Sequence, residues 1–192
     1  MVSKQEKTKK QWGSLEIEVP LTEGVTATFD DNSILTIKGK KGEVSKLFKY
    51  PRVYLKIENS LVKVGTEKFS QRQKKIIHTY RAHINNMMKG VTEGFTYKLV
   101  VLFAKFPVSV ELKGNKFAVK NLLGEKVPRI VTIPSDVKVE IKAKEITVTG
   151  IDKEKTGQVA ASLEQLTKVT NMDRRVVQDG IFITEKPHVK YS

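Results

Sequence analysis

Three groupings in the 192-residue chain have side chains suited to chemistry: three histidines, a serine–lysine pair with a downstream Lys-Thr-Gly, and a glycine-punctuated basic turn. Histidine is the usual general base and a common zinc ligand. His78 and His83 are five apart on a segment of helical periodicity, so they project about 140° apart and do not share one metal. His188 stands in a polar tail. With zero cysteines, thiolate zinc sites, iron–sulfur clusters, disulfides and cysteine nucleophiles are excluded. Ser135-x-x-Lys138 and Lys155-Thr156-Gly157 have the letters of penicillin-recognising enzymes. That chemistry needs its serine at a helix N-terminus, whereas Ser135 follows Pro134 and opens an alternating strand, and no S-D-N element occurs. The turn Gly39-Lys-Lys-Gly42 is not a Walker loop, and G-x-G-x-x-G is absent. Carboxylates fall at turns and alternating strand positions, as on a solvated face. The expectation is a chain without catalysis, metal, cofactor or small-molecule substrate.

What remains is charge. The formal net charge is +14, from 35 Lys plus Arg against 21 Asp plus Glu. Residues 1–37 carry a net −2, residues 38–89 carry +11 and residues 90–192 carry +5. No acid stands between Lys68 and Lys89, where Arg72, Lys74, Lys75 and Arg81 also occur. Such a field attracts phosphates, which makes a nucleic acid the expected partner. No stretch reaches the roughly 18 apolar residues of a membrane span, so the chain reads as soluble and cytoplasmic.

The elements that must position these cations come in two similar sets. Val25–Phe29 and Ile34–Ile37 form a first hairpin, and Val53–Ile57 with Leu61–Val64 a second. Ile77, Tyr80, Ile84, Met87 and Met88 recur at helical spacing, which predicts a helix over about 71–89 with Gly90 as its C-cap. After a strand over 95–103 the order starts again, with hairpins at Val108–Leu112 with Lys116–Val119 and at Val137–Ile141 with Ile146–Thr149, then a helix over about 155–169. Leu35 and Ile37 fall on Phe117 and Val119 at a shift of 82; Leu55, Val62 and Val64 fall on Val139, Ile146 and Val148 at a shift of 84. The expected fold class is α+β: two tandem copies of an antiparallel sheet packed against one long helix. The expected organisation is a basic N-terminal tail at 1–14, a first repeat at 15–92, a connecting strand at 93–106, and a second repeat with a C-terminal extension at 107–192.

Basic loops and helix ends contact phosphate oxygens without reading bases. Phe29, Phe48, Phe95, Phe103 and Phe117 occupy apolar strand positions and read as core rather than as base-stacking platforms. Helix-turn-helix, zinc-finger, basic-zipper and RNP patterns are missing, so a structured RNA is the better expectation.

Several segments carry a family likeness. Asn86-Met-Met-Lys-Gly-Val-Thr-Glu-Gly-Phe-Thr-Tyr97, Phe106-Pro107-Val108, Asn121-Leu-Leu-Gly-Glu-Lys126 and Asp179-Gly-Ile-Phe-Ile-Thr-Glu-Lys186 resemble the archaeal and eukaryotic branch of the large-subunit ribosomal protein six family, whose eukaryotic counterpart is large-subunit protein nine. Ile151-Asp-Lys-Glu-Lys-Thr-Gly-Gln-Val-Ala160 is similar to the bacterial branch. The resemblance implies a duplicated α+β domain in a structural protein of the ribosome. It also implies binding to large-subunit rRNA near the sarcin–ricin loop and the factor-binding stalk base, beside neighbouring ribosomal proteins and translational GTPases. By motif position the rRNA contacts carry over to Lys153, Lys155, Thr156, Gln158, Arg174, Arg175, Gln178, Asp179, Gly180 and Lys186. Charge adds Lys40, Lys41, Arg72, Lys74 and Lys75 as secondary contacts. An RNA-acting enzyme with an unrecognised site is the alternative, and it would require a cleft of convergent buried titratable groups.

Overall fold

The structure, a computed structural model, describes residues 15–58, 60–67, 70–173, 175–187 and 189–190. The expected tail at 1–14 lies outside them, as do Arg174 and His188. The chain divides into two compact units, residues 1–92 and 93–192.

In the first unit the β-branched runs become β1 (Leu15–Pro20), β2 (Thr26–Phe29), β3 (Ile34–Gly39), β4 (Gly42–Leu47), β5 (Tyr54–Glu58) and β6 (Leu61–Thr66), followed by α1 (Gln71–Thr92). They form two antiparallel three-stranded sheets, β2-β3-β4 and β1-β6-β5, rather than the single sheet expected. The chain leaves β4 through the buried Phe48 and a turn at Pro51-Arg52, and so pairs next with a different neighbour. α1 packs on strands of both sheets, closing a core that includes Val19, Leu35, Ile37, Val62, Val64, Ile77, Ile84 and Val91, none above 2% exposed. Side chains of this size each contribute about 1.5–3 kcal/mol on burial, so the helix face and strand alternation specify one another.

α1 runs past Gly90, which is buried inside it, because Val91 still has core to fill. The left-handed conformation expected at Gly90 occurs at Gly94, where φ is 76°.

The second unit repeats the plan. β8 (Ser109–Lys113), β9 (Lys116–Lys120) and β10 (Arg129–Thr132) form a three-stranded sheet. β7 (Phe95–Leu102), β11 (Val137–Lys142), β12 (Glu145–Gly150), β13 (Gly180–Lys186) and β14 (Val189–Lys190) form a five-stranded one, in the order β11-β12-β7-β13-β14. α2 (Lys153–Leu166) covers its inner face. The segment 93–106, read as a connector, therefore supplies the central strand of this sheet. β7 is the counterpart of β1, since β7-β12-β11 repeats β1-β6-β5.

The sequence offsets survive as ladder register. Leu55 faces Val64 and Ile57 faces Val62 in the first unit, as Val139 faces Val148 and Ile141 faces Ile146 in the second. Phe117, Val119, Ile146 and Val148 are as buried as the residues they repeat. Where β3 and β4 turn through Lys40 and Lys41 alone, β9 and β10 are joined by a longer loop containing a 3-10 turn at Leu122–Gly124.

Candidate RNA interface

The predicted contacts of the second unit gather at the two ends of α2. Its N-terminus is capped by Asp152, whose Oδ1 accepts the Glu154 N–H at 2.9 Å. In the first turn, Lys153 holds its ammonium 6.0 Å from the centre of the Phe95 ring. Lys155 projects to solvent and pairs with Asp136 at 2.5 Å. The hydrogen bond to Asp136 raises the Lys155 pKa, and the same bond lowers that of Asp136. Gln158 is exposed one turn on, beside an open groove of about 510 Å³ floored by Val131, Ile133, Pro134 and Val159.

Thr156 lies in the same turn but is fully buried, its Oγ1 donating to the Asp152 carbonyl at 2.6 Å. A hydroxyl pointing inward to the helix's first turn has no reach to a phosphate, and its place is in helix packing.

The other group follows the C-terminal end of α2, about 20 Å away at 1.5 Å per residue over 14 residues. Arg175 is exposed and chelated by its neighbour Asp173, with Nη2 to Oδ2 at 2.9 Å and Nε to Oδ1 at 3.1 Å. That pairing raises the arginine and lowers the aspartate. Gln178 is exposed, and Lys186 is exposed at the far end of β13.

Two further members of this group are buried. Asp179 is 5% exposed and accepts the Ala104 N–H through Oδ1 at 2.9 Å. Gly180 is buried at φ 150°, where a side chain would begin 3.2 Å from Thr167 Oγ1. Next to it, the Ile181 N–H donates to that same oxygen at 2.8 Å. Both residues were expected to face RNA. They instead fasten β13 to the loop after β7 and to the end of α2, because a strand entering between two packed elements must satisfy its backbone there.

The secondary cations do not converge. Lys40 and Lys41 lie near the C-terminal end of α1, where the Lys41 N–H donates to the Val91 carbonyl at 3.0 Å. Arg72, stacked 5.8 Å over Tyr50, with Lys74 and Lys75, occupies the N-terminal end, about 28 Å along the axis. α1 contains no Asp or Glu, so no carboxylate of its own pairs with these cations.

The structure adds a cluster that sequence spacing hid. The loops 103–107, 121–128 and 167–179 meet at the C-terminal end of α2. Ala104 bonds Asp179, the Asn121 amide nitrogen donates to the Pro107 carbonyl at 3.1 Å, and Arg129 Nη1 donates to the Leu166 and Lys168 carbonyls at 2.9 and 3.2 Å. Lys105, Lys126 and Lys168 are exposed there. Lys105 and Lys126 show in the sequence only as Lys-Phe-Pro and Gly-Glu-Lys, the two lysines 21 residues apart.

Among the described residues no group of three or more His, Asp or Glu could hold a metal, and no helix is long and apolar enough to cross a membrane.

The arrangement is a duplicated scaffold carrying cations on helix ends and loops, and comparison with known proteins matches that duplication. The Ribosomal protein L6 family matches residues 21–94 and again 106–180, one copy for each unit. The chain is similar to the large ribosomal subunit protein uL6 of Natronomonas pharaonis, 39% identical over 172 residues, covering 90% of this chain and 96% of that one. It is likewise similar to uL6 of Methanosarcina mazei, 40% identical over 88% of this chain and 95% of the relative. For uL6 of Methanocella arvoryzae the values are 41%, 89% and 96%. With both repeats matched and archaeal relatives aligned almost end to end, the chain belongs to the ribosomal protein L6 family.

Proposed function

We propose that this chain is a structural, non-catalytic protein of the large ribosomal subunit in the cytoplasm. In this reading it binds large-subunit rRNA near the sarcin–ricin loop at the stalk base, beside neighbouring ribosomal proteins and translational GTPases. The observation that carries the reading is the coincidence of two family copies with a net charge of +14 and exposed cations near both ends of α2. Its relatives bear ribosomal-protein names, which favours a scaffold over the RNA-acting enzyme.

Lys153, Lys155 and Gln158 engage phosphates at one end of α2, and Arg174, Arg175, Gln178 and Lys186 do so beyond the other. Contacts about 20 Å apart suit the backbone of a folded RNA rather than a single base edge. Lys155 and Arg175 already have carboxylate partners, so each phosphate contact is an exchange of partners. Lys40, Lys41, Arg72, Lys74 and Lys75 add a second, non-specific contact from the first unit. Thr156, Asp179 and Gly180 act indirectly by holding the elements that carry the cations.

The test is a salt titration of binding to a large-subunit RNA fragment containing the sarcin–ricin region, with an unrelated duplex as competitor. Competitor-resistant binding with a steep salt slope supports the reading. Binding no tighter than to the competitor removes the specific location, and absence of the protein from purified large subunits removes the ribosomal role.

A further inference from the structure

Phe106 is the one aromatic among the described large apolar side chains that are exposed, at 45%. The other phenylalanines on strands face a core or are partly covered by one, but Phe106 sits on the loop between β7 and β8. One edge of its ring, Cζ, Cε1 and Cδ1, lies 3.7 to 3.9 Å from where a side chain on Gly124 would begin, so that glycine is the seat on which the ring rests. The loop is pinned on both sides of it. Two residues before, the Ala104 N–H is held by buried Asp179 at 2.9 Å; one residue after, the Pro107 carbonyl accepts from Asn121 at 3.1 Å. Burying about half of an apolar ring while holding its backbone in two places is a costly way to expose the remainder, unless something covers it.

The surroundings say what covers it. The three loops at this end of α2, together with Arg129, carry the described cations Lys105, Lys126, Arg129, Lys168 and Arg175 against Glu125, Asp173 and Asp179. Each of those acids is already engaged: Glu125 by Arg129, Asp173 by Arg175 and Asp179 by the Ala104 N–H. An exposed aromatic on one of several linked loops that carry exposed cations complements a partner offering both a π-face and phosphates. A pinned aromatic also loses little conformational freedom on binding.

We infer that Phe106 is a stacking platform for an unpaired base of the bound RNA, with Lys105, Lys126 and Lys168 holding phosphates of the same strand. The inference rests on the RNA-binding reading above and adds to it a second kind of contact, one that depends on an open base rather than on charge.

The experiment compares the full chain with Phe106→Ala, Phe106→Leu and Phe106→Trp variants. The probes are a large-subunit RNA fragment containing the unpaired nucleotides of the sarcin–ricin region and a fully paired duplex of the same length, each titrated with salt. Circular dichroism should match the wild type, and because about half of the ring is covered the urea midpoint of each variant is measured so that affinities are compared on folded protein. Stacking predicts that Ala and Leu weaken binding to the fragment about five-fold or more, that Trp retains it, and that the salt slope stays unchanged. The paired duplex should not distinguish the variants. The inference fails if Leu binds the fragment as the wild type does, since an apolar protein-docking residue would tolerate that change. It also fails if the duplex shows an equal loss. Wild-type binding that persists with an unaltered affinity in Phe106→Ala overturns stacking alone, whereas a wild-type chain that binds neither probe overturns the RNA-binding reading with it.

Discussion

Asp179 reaches across 75 positions of sequence to accept the Ala104 N–H at 2.9 Å, and in doing so ties the start of β13 to the loop that follows β7. Asp179 is 5% exposed whereas Ala104 lies at the surface, so the bond is shielded from water on the carboxylate side. Asp179→Ala leaves a donor without its acceptor and should cost about 1–3 kcal/mol, read as a lower urea midpoint at unchanged slope. Asp179→Asn keeps an acceptor oxygen and should recover much of it. A direct RNA role would show the reverse pattern, with affinity diminished and stability kept.

Gly180 and Thr167 make a second such clamp. Alanine at 180 would combine a left-handed φ of 150° with an approach of 3.2 Å to Thr167 Oγ1, so Gly180→Ala should destabilise by about 1–3 kcal/mol. Thr167→Ala relieves the crowding but removes the acceptor of the Ile181 N–H, and the two substitutions together should be non-additive in thermal unfolding.

Thr156→Val, nearly isosteric, removes the hydroxyl that bonds the Asp152 carbonyl at the start of α2. The expected loss is about 0.5–1.5 kcal/mol of stability, with RNA affinity unchanged once the protein is folded. An affinity drop at full stability would restore Thr156 as an RNA-facing residue.

Acid should loosen the β9–β10 loop. The hydrogen bond from Arg129 holds the Glu125 carboxyl below the ordinary value of 4.5. A lowered folded-state pKa means that this contribution is fully present above pH 4.5 and is lost as pH falls through the folded value beneath it. Glu125→Gln should therefore unfold at lower urea than the wild type at pH 7, with the difference narrowing toward pH 3. A constant gap would mean that the pair contributes nothing through charge.

On the acid-free helix, Lys74→Ala with Lys75→Ala should lower the salt slope of RNA binding by about 0.7 to 0.9 for each phosphate that these two cations neutralise. Folding should be unaffected, because both side chains are exposed. An unchanged slope would remove Lys74 and Lys75 from the RNA contacts.

Alternation and spacing determined much by themselves. Strand faces, hairpin registers and the buried stripes of both helices depend on near neighbours, so Leu35, Ile37, Phe117, Val119 and Val148 could be placed from period and repeat offset alone. The positive excess and its concentration before Lys89 were equally plain. Partnership between distant segments was not. Phe95 pairs with Gly150 and Leu102 with Gly180, so a strand that looked like a connector became the middle of a sheet through ladders that no local pattern encodes. For the same reason Asp179 and Gly180, polar or flexible by type, turned inward where remote elements meet, while Thr156 turned to the Asp152 carbonyl at the start of its own helix. Phe106 and Gly124 became neighbours only when the loop after β7 met the loop after β9. Residue type and period set which faces are apolar and where charge accumulates; long-range packing and backbone hydrogen bonding decided which of the charged and polar candidates face outward.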